Sequence, residues 1–256
     1  MKIIDVPSLP FHTLGYRTSA YGGKVRKVEL PFYKVRVENL PQGVNSIVAM
    51  SDLQGRETDE TQNRLVGEAV ANELNLLQEK GRIPSIDLAL LAGDLYDFPD
   101  LRRMGGTGDV TSVLNTFADN IPHVVGVLGN HDLVRKNELK SNIQILDGKV
   151  EQVAGLSVGG VSGIIGKSKK NQRKTLAEFD VALKTIFSQH LNIALLHQGP
   201  NDPLNGQRGE PAIYDFLASN GNALVIFGHC HWRIPIVEIG NNTLLNVDNR
   251  VYVFHR

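Results

Sequence analysis

Short apolar runs bounded by turn residues alternate with helical periodicity along most of this chain. Ser46-Ile47-Val48-Ala49-Met50, Ile86 to Ala92, Val124 to Leu128, Asn192 to Leu196 and Ala223 to Phe227 are short and continuously apolar. That pattern predicts strands buried on both faces. Between the first two, Leu65, Ala69, Leu74, Leu76 and Leu77 recur near three-and-four spacing until Gly81, which predicts a helix. Val110 to Asn120 predicts a second helix. Thr175 to His190 predicts a third, with Leu176, Phe179, Leu183, Ile186 and Phe187 on one face. Strand, helix, strand, helix, strand implies an α/β fold with a mainly parallel sheet and right-handed crossovers. Pro99 to Gly108 reads as a loop. Lys149 to Val153 and Leu156 to Val161, in a glycine-rich stretch, predict short strands of a second sheet, and Thr243 to Leu245 and Val251 to Phe254 close the chain as strands.

The start of the chain reads differently. Pro7, Pro10, Gly22, Gly23 and Pro31 interrupt any long element, and alternation appears only at Lys34-Val35-Arg36-Val37, the pattern of an edge strand. Residues 1–40 are therefore expected to be an irregular extension packed on a domain spanning 41–256. No repeat, low-complexity segment or linker divides the rest.

Composition narrows the class of protein. With 256 residues, 41% of them hydrophobic, the chain can bury one large core. A formal net charge of +0 argues against nucleic-acid binding by bulk charge, although a local basic patch could still act. The single cysteine, Cys230, excludes an intramolecular disulfide and suits a reducing compartment. Met1 to Pro10 shows no leader pattern, and no apolar stretch of about 18 residues could span a bilayer. The expectation is a cytoplasmic protein with no membrane partner.

Candidate chemistry sits directly after the predicted strands. Asp52-Leu53-Gln54, Gly93-Asp94-Leu95-Tyr96-Asp97, Gly129-Asn130-His131-Asp132, His197 and Gly228-His229-Cys230-His231 each follow or end an apolar run. In open α/β sheets ligands bind beyond the carboxyl ends of the strands, so these clusters should converge on one rim. Asp, Asn, Gln and His are donors suited to manganese, iron or zinc. One isolated histidine usually caps or hydrogen-bonds; four in order with carboxylates point to metal. His12, His123, His190 and His255 keep the ordinary reading.

The order D-x-Q, G-D-x-x-D, G-N-H-D, H, G-H-x-H resembles the calcineurin-like metallophosphoesterase superfamily, from about Pro41 to the C-terminus. That resemblance implies a four-layer α-β-β-α sandwich and two divalent metal ions. It would place Asp52, Gln54, Asp94 and His231 on one ion and Asp94, Asn130, His197 and His229 on the other, with Asp94 bridging. Two such ions clamp phosphate oxygens and hold a bridging hydroxide that attacks phosphorus in line. His131 would stabilise the transition state or protonate the leaving oxygen, with Asp132 orienting its ring and Asp97 holding a ligand in place. The activity implied is hydrolysis of a phosphodiester, phosphomonoester or nucleotide diphosphate, on a phosphate-ester or nucleotide small molecule.

Gln54 stands where most members of that family have histidine. Three side-chain oxygens and one nitrogen tilt this first site toward manganese or iron rather than zinc. A glutamine also occurs in the branch resembling manganese-dependent ADP-ribose/CDP-alcohol diphosphatases. Arg56 and Arg135 are preferred over Arg102 and Arg103 as phosphate contacts. Lys167 to Lys174 is a charge run, read as a solvated loop with a phosphate-attracting lip as its functional alternative. The loop Pro200 to Glu210 follows His197 and is a candidate for shaping the leaving-group side. Cys230, between two ligand positions of an extended segment, should point away from the metals and pack inertly. Two other functions compete. A nuclease is disfavoured by the neutral charge, and a non-catalytic interaction scaffold by the presence of Asn130, His131 and the later histidines. The first forty residues could still dock a partner or a second copy, making a homo-oligomer.

Overall fold

The computed structural model describes residues 1–58, 62–167 and 169–256. Two sheets lie face to face. In the larger one the order runs Ile143–Ile145, His123–Gly126, Leu88–Leu91, Ser46–Ser51, Arg250–His255, Lys24–Glu38, His12–Ala20, Arg56–Thr58, Asn63–Leu65, with Lys2–Asp5 also paired to Lys24–Glu38. Its first four strands are parallel, and three of them are the apolar runs at 46–50, 86–92 and 124–128, whereas the half-buried Ile143–Ile145 carried too short a signal to be anticipated. The smaller sheet runs Lys149–Val153, Leu156–Val161, Ile193–Gln198, Leu224–Gly228, Asn242–Asn246, Ile236–Ile239, parallel through its four central strands.

Three hydrophobic cores define four layers. Helices α1 (Val66–Glu79) and α2 (Thr111–Asn120) bury Val70, Leu74, Val113 and Phe117 against Met50, Ala89 and Leu91 of the larger sheet. Ile47, Leu88, Leu90, Ile193, Leu195 and Ile226 fill the space between the sheets. Helices α3 (Leu176–Phe187) and α4 (Pro211–Ser219) bury Phe179, Leu183, Ile213 and Leu217 against Leu196, Val225 and Phe227. Strands buried on both faces need no polar alternation, which is why they read as apolar runs. Thr175 closes a capping box with Glu178 at the start of α3. The helix α4 and the strand Ile236–Ile239 carried no strong periodic signal and were not anticipated.

The first forty residues depart from expectation. They are not an irregular extension: His12–Ala20 and Lys24–Glu38 form a long antiparallel hairpin inside the larger sheet. Gly22 and Gly23, with φ of 74° and 70°, make its turn instead of breaking the element. The segment around Lys34 is not an edge either, because Arg250–His255 runs parallel to it on one side and Lys2–Asp5 pairs with its end. Its partner lies more than 200 residues away in sequence, a pairing no local pattern announces. The hairpin also reaches the rim that carries the functional clusters: Tyr16 donates its hydroxyl to Asn249 Oδ1 at 2.7 Å, and Ser19 donates to Asp97.

Candidate metal centre

All five clusters lie at the carboxyl ends of adjacent strands. Asp52 follows Ser46–Ser51, Asp94 follows Leu88–Leu91, Asn130 follows His123–Gly126, and His229 follows Leu224–Gly228, while His197 lies near the end of Ile193–Gln198. Asp52, Asp94 and His229 have positive φ (55°, 54° and 67°), an uncommon conformation that turns the chain sharply off each strand. The glycines beside them are required by contact. A Cβ on Gly129 would overlap the Asp94 carboxylate, and one on Gly228 would overlap Ser51 Oγ and Asp52 Oδ2.

Asp94, His197 and His229 bring ligand atoms within 4.8 Å of one another, the one such group of three found among the described residues. Asp94 is 3% exposed and His197 fully buried. His197 Nδ1 lies 2.8 Å from the Ala92 carbonyl, an acceptor only, so Nδ1 carries the proton. Its Nε2 lone pair therefore faces Asn130 Oδ1 at 3.4 Å and Asp94 Oδ1 at 3.6 Å. Apart from the His131 N–H, which reaches Asp94 Oδ1 at 3.0 Å, no donor among the described residues meets these three atoms, and a divalent cation between them is what this set fits. Burial, and then the neighbouring His197, push His229 down to about 4, so its imidazole is neutral and available as a ligand at physiological pH. The other oxygen of Asp94, Oδ2, accepts from the Gln54 amide nitrogen at 3.4 Å, and a half-turn of that amide would bring its ligating oxygen to the same place.

Asp52 accepts hydrogen bonds on Oδ2 from the Ser51 hydroxyl and, at 2.8 Å, from the His229 N–H. Burial raises its pKa well above the ordinary carboxylate range, and the charges of Asp248 and Asp94 raise it further. Asp248, which sequence reasoning missed, thus adds a carboxylate beside Asp52. Its signal in the sequence is only an acid after the strand Asn242–Asn246.

Several predicted roles are not matched by the contacts. His231 is turned to the rim: its Nδ1 meets Asp248 at 2.8 Å and its Nε2 accepts from Arg250 Nη2 at 3.1 Å, so both ring nitrogens are engaged. Asp132 does not orient the His131 ring. Its carboxylate accepts the backbone N–H groups of Asp94, Leu95 and Gly129, each at 2.8 Å, and so organises the two loops that carry Asp94 and Asn130. Burial and the Asp94 charge push Asp132 up to about 6. Asp97 touches no predicted ligand; it accepts from Ser19 and the Phe98 N–H, tying the N-terminal hairpin to the rim. Arg56 is 8% exposed and spends its guanidinium on the Asp97 and Asn63 carbonyls. Arg135 ion-pairs with Asp109 and Glu138. Arg56 is thus taken up by the backbone, whereas the exposed Arg135 is held by surface ion pairs through Nε and Nη1.

His131 donates its backbone N–H to Asp94 Oδ1 at 3.0 Å, and its ring Nδ1 is buried with no hydrogen-bond partner. Cys230 is half-buried and close enough to Asp52 for that charge to raise its pKa after burial has done so. The alternation argument fails here because the segment turns, with the Cys230 N–H bonded to the Gly228 carbonyl. Within the charge run, Ser168 lies outside the described residues. Asn171 donates to the carbonyls of Asn130 and Asp132 at 3.2 and 3.0 Å, docking that loop on the centre, and Lys174 pairs with Asp147.

No curated protein matches the chain. One solved crystal structure, 12% identical, superposes with a TM-score of 0.54 over 79% of this chain and 90% of its own, a likeness of fold. Phosphopantetheinyl hydrolase from Mycobacterium tuberculosis is similar at 14% identity, covering 80% of this chain and 90% of that one with a TM-score of 0.45. Haemophilus influenzae NAD nucleotidase is similar at 17%, covering 73% and 38% with a TM-score of 0.38. No helix among the described residues is long and apolar enough to cross a membrane. The family model of the calcineurin-like phosphoesterases matches residues 46–233, a span that takes in every cluster from Asp52 to His231. With that match, the layered fold and the buried Asp94, His197 and His229, this chain belongs to the calcineurin-like phosphoesterase family and is a metal-dependent phosphoesterase.

Proposed function

We propose that Asp52, Gln54 and Asp94 hold one divalent cation and that Asp94, Asn130, His197 and His229 hold a second, with manganese the preferred metal, in a hydrolase of phosphodiesters, phosphomonoesters or nucleotide diphosphates. The observation that carries this reading is the division of Asp94: Oδ2 faces Gln54 at 3.4 Å while Oδ1 faces His197 at 3.6 Å. One carboxylate between two donor sets is what a shared ligand requires. His231 joins the first set only by exchanging the Arg250 guanidinium for a cation. Bound there, two divalent cations polarise phosphate oxygens and lower the pKa of coordinated water.

The protein's own residues supply the rest. Ser51 and the His229 N–H fix Asp52, the Ala92 carbonyl fixes the tautomer of His197, and Asp132 sets the two loops that carry Asp94 and Asn130. His131 is assigned the proton that the leaving oxygen takes up. The test is titration of metal-stripped protein with manganese, by calorimetry and by turnover of a generic phosphomonoester and phosphodiester, with Asp94→Asn alongside. Two sites in the wild type and weakened binding at both in the variant are expected. Two cations retained tightly by Asp94→Asn would contradict the shared assignment.

A further inference from the structure

Beside His229 a cleft of about 560 Å³ opens between two segments that sequence reasoning linked only loosely. One wall is the loop after His197, with Asn205 and Arg208; the other is the turn His229 to Arg233. Both arginines are exposed on their solvent side, and among the described residues neither guanidinium has an ion-pair partner. Arg56, Arg135 and Arg250, by contrast, are all committed to neighbours.

The backbone that carries the two free arginines is firmly held. Trp232, completely buried and edge-on to Phe227 at 4.7 Å, donates its indole N–H to the Arg208 carbonyl at 2.7 Å. Gln207 bridges both the N–H and the carbonyl of Ile234, at 2.9 and 3.0 Å. Asp202, 3% exposed, accepts the N–H groups of Leu204 and Asn205 and so shapes the turn. One buried tryptophan thus fixes Arg208 through its carbonyl and Arg233 through the chain. Two exposed guanidiniums carried on a held backbone, in a cleft whose lining, among the described residues, has no carboxylate and includes His229, suit an anionic ligand that extends outward from the metal centre. The volume lies in the range of small-molecule sites and far exceeds a single phosphate.

We propose that Arg208 and Arg233 form a subsite for a second phosphate, so that the preferred substrate is an organic phosphoanhydride rather than a simple ester; this rests on the hydrolase reading above. In the reaction the oxygen of one water bonds to the attacked phosphorus and the bridging P–O bond breaks. The released phosphate takes the bridging oxygen and its electron pair into the arginine-lined cleft, while the two water protons pass to solvent or to the product phosphates.

The experiment uses the full chain and the variants Arg208→Gln, Arg233→Gln and their combination, each checked by thermal unfolding. Inorganic pyrophosphate is titrated into metal-free protein by calorimetry. With manganese, KM and kcat are measured for a nucleoside diphosphate sugar and for an aryl phosphate. Each exposed guanidinium is worth about 1.5- to 5-fold, so the double variant should weaken pyrophosphate roughly 2- to 25-fold. KM for the diphosphate should rise by a similar factor, well beyond any change with the aryl phosphate. Absent pyrophosphate binding, equal affinity in wild type and double variant, or equal losses on both substrates would overturn the subsite. Lack of turnover by the wild type on either substrate would instead sink the hydrolase reading, while the metal-free titration still decides the subsite.

Discussion

Replacing Asp132 with asparagine separates two effects that act on the same buried carboxylate. Asp132 is completely buried and accepts three backbone N–H groups at 2.8 Å, two on Oδ2 and one on Oδ1. The less harmful asparagine rotamer keeps its oxygen toward Asp94 and Gly129 and turns its NH2 toward the Leu95 N–H. One charge-assisted bond is then lost outright, about 2 kcal/mol, and two are reduced to neutral strength, about 1 kcal/mol each, for a total of about 4 kcal/mol. Against this, burial and the Asp94 charge hold Asp132 at about 6, above the ordinary 3.8. Removing that disfavoured charge offsets part of this loss at neutral pH.

In metal-free protein the two effects oppose each other, so the loss is smaller than about 4 kcal/mol, and the fall in Tm smaller than roughly 8–16 °C. With cations bound their positive charge favours the carboxylate, the relief disappears, and the loss returns to about 4 kcal/mol, roughly 8–16 °C. The sign with pH follows from a raised folded pKa: the contribution of Asp132 is present below the unfolded value and is lost as pH rises through about 6. The metal-free wild type should therefore lose stability relative to Asp132→Asn between about pH 4 and pH 7. Differential scanning calorimetry with and without manganese reads both quantities. Equal destabilisation in the two states, or no pH-dependent difference between the proteins, would show that Asp132 does not carry these two opposed effects.

Other substitutions probe neighbouring parts of the centre. His131→Ala should leave cation binding intact by calorimetry and reduce turnover of an alkyl or aryl ester by about 10²–10⁴-fold, the scale of general acid catalysis; unchanged turnover removes His131 from the mechanism. Gln54→His should shift the manganese-to-zinc preference toward zinc, measured by competitive metal loading, and an unaltered preference defeats the argument from ligand hardness. Gly228→Ala puts a methyl group on Ser51 Oγ and Asp52 Oδ2, so it should cost about 1–3 kcal/mol in urea unfolding and weaken the Asp52 cation more than the other.

The main buried strands and the helices between them over residues 46–198, and the rim on which Asp52, Asp94, Asn130, His197 and His229 meet, were legible in the sequence, but the short strands such as Arg56–Thr58 and Ile143–Ile145 were not. Strands buried on both faces leave continuous apolar runs, and each candidate residue sits within a few positions of the end of one, so period and position were enough. The remaining features depend on partners far apart in the chain. The parallel pairing of Lys24–Glu38 with Arg250–His255 turned an apparently broken segment into the middle of a sheet. The Asp248–His231–Arg250 contacts engaged both nitrogens of a predicted ligand, and Asp132, adjacent to His131, instead gathered N–H groups from the loop 38 residues away. Arg56 was drawn into the backbone around Asp97, whereas Arg208 and Arg233, unremarkable in the sequence, were brought to one cleft by the indole of Trp232. Backbone periodicity is a local property that short stretches express, but the choice of hydrogen-bond partner for a buried polar group is made by whichever donors and acceptors the packed layers bring within about 3 Å.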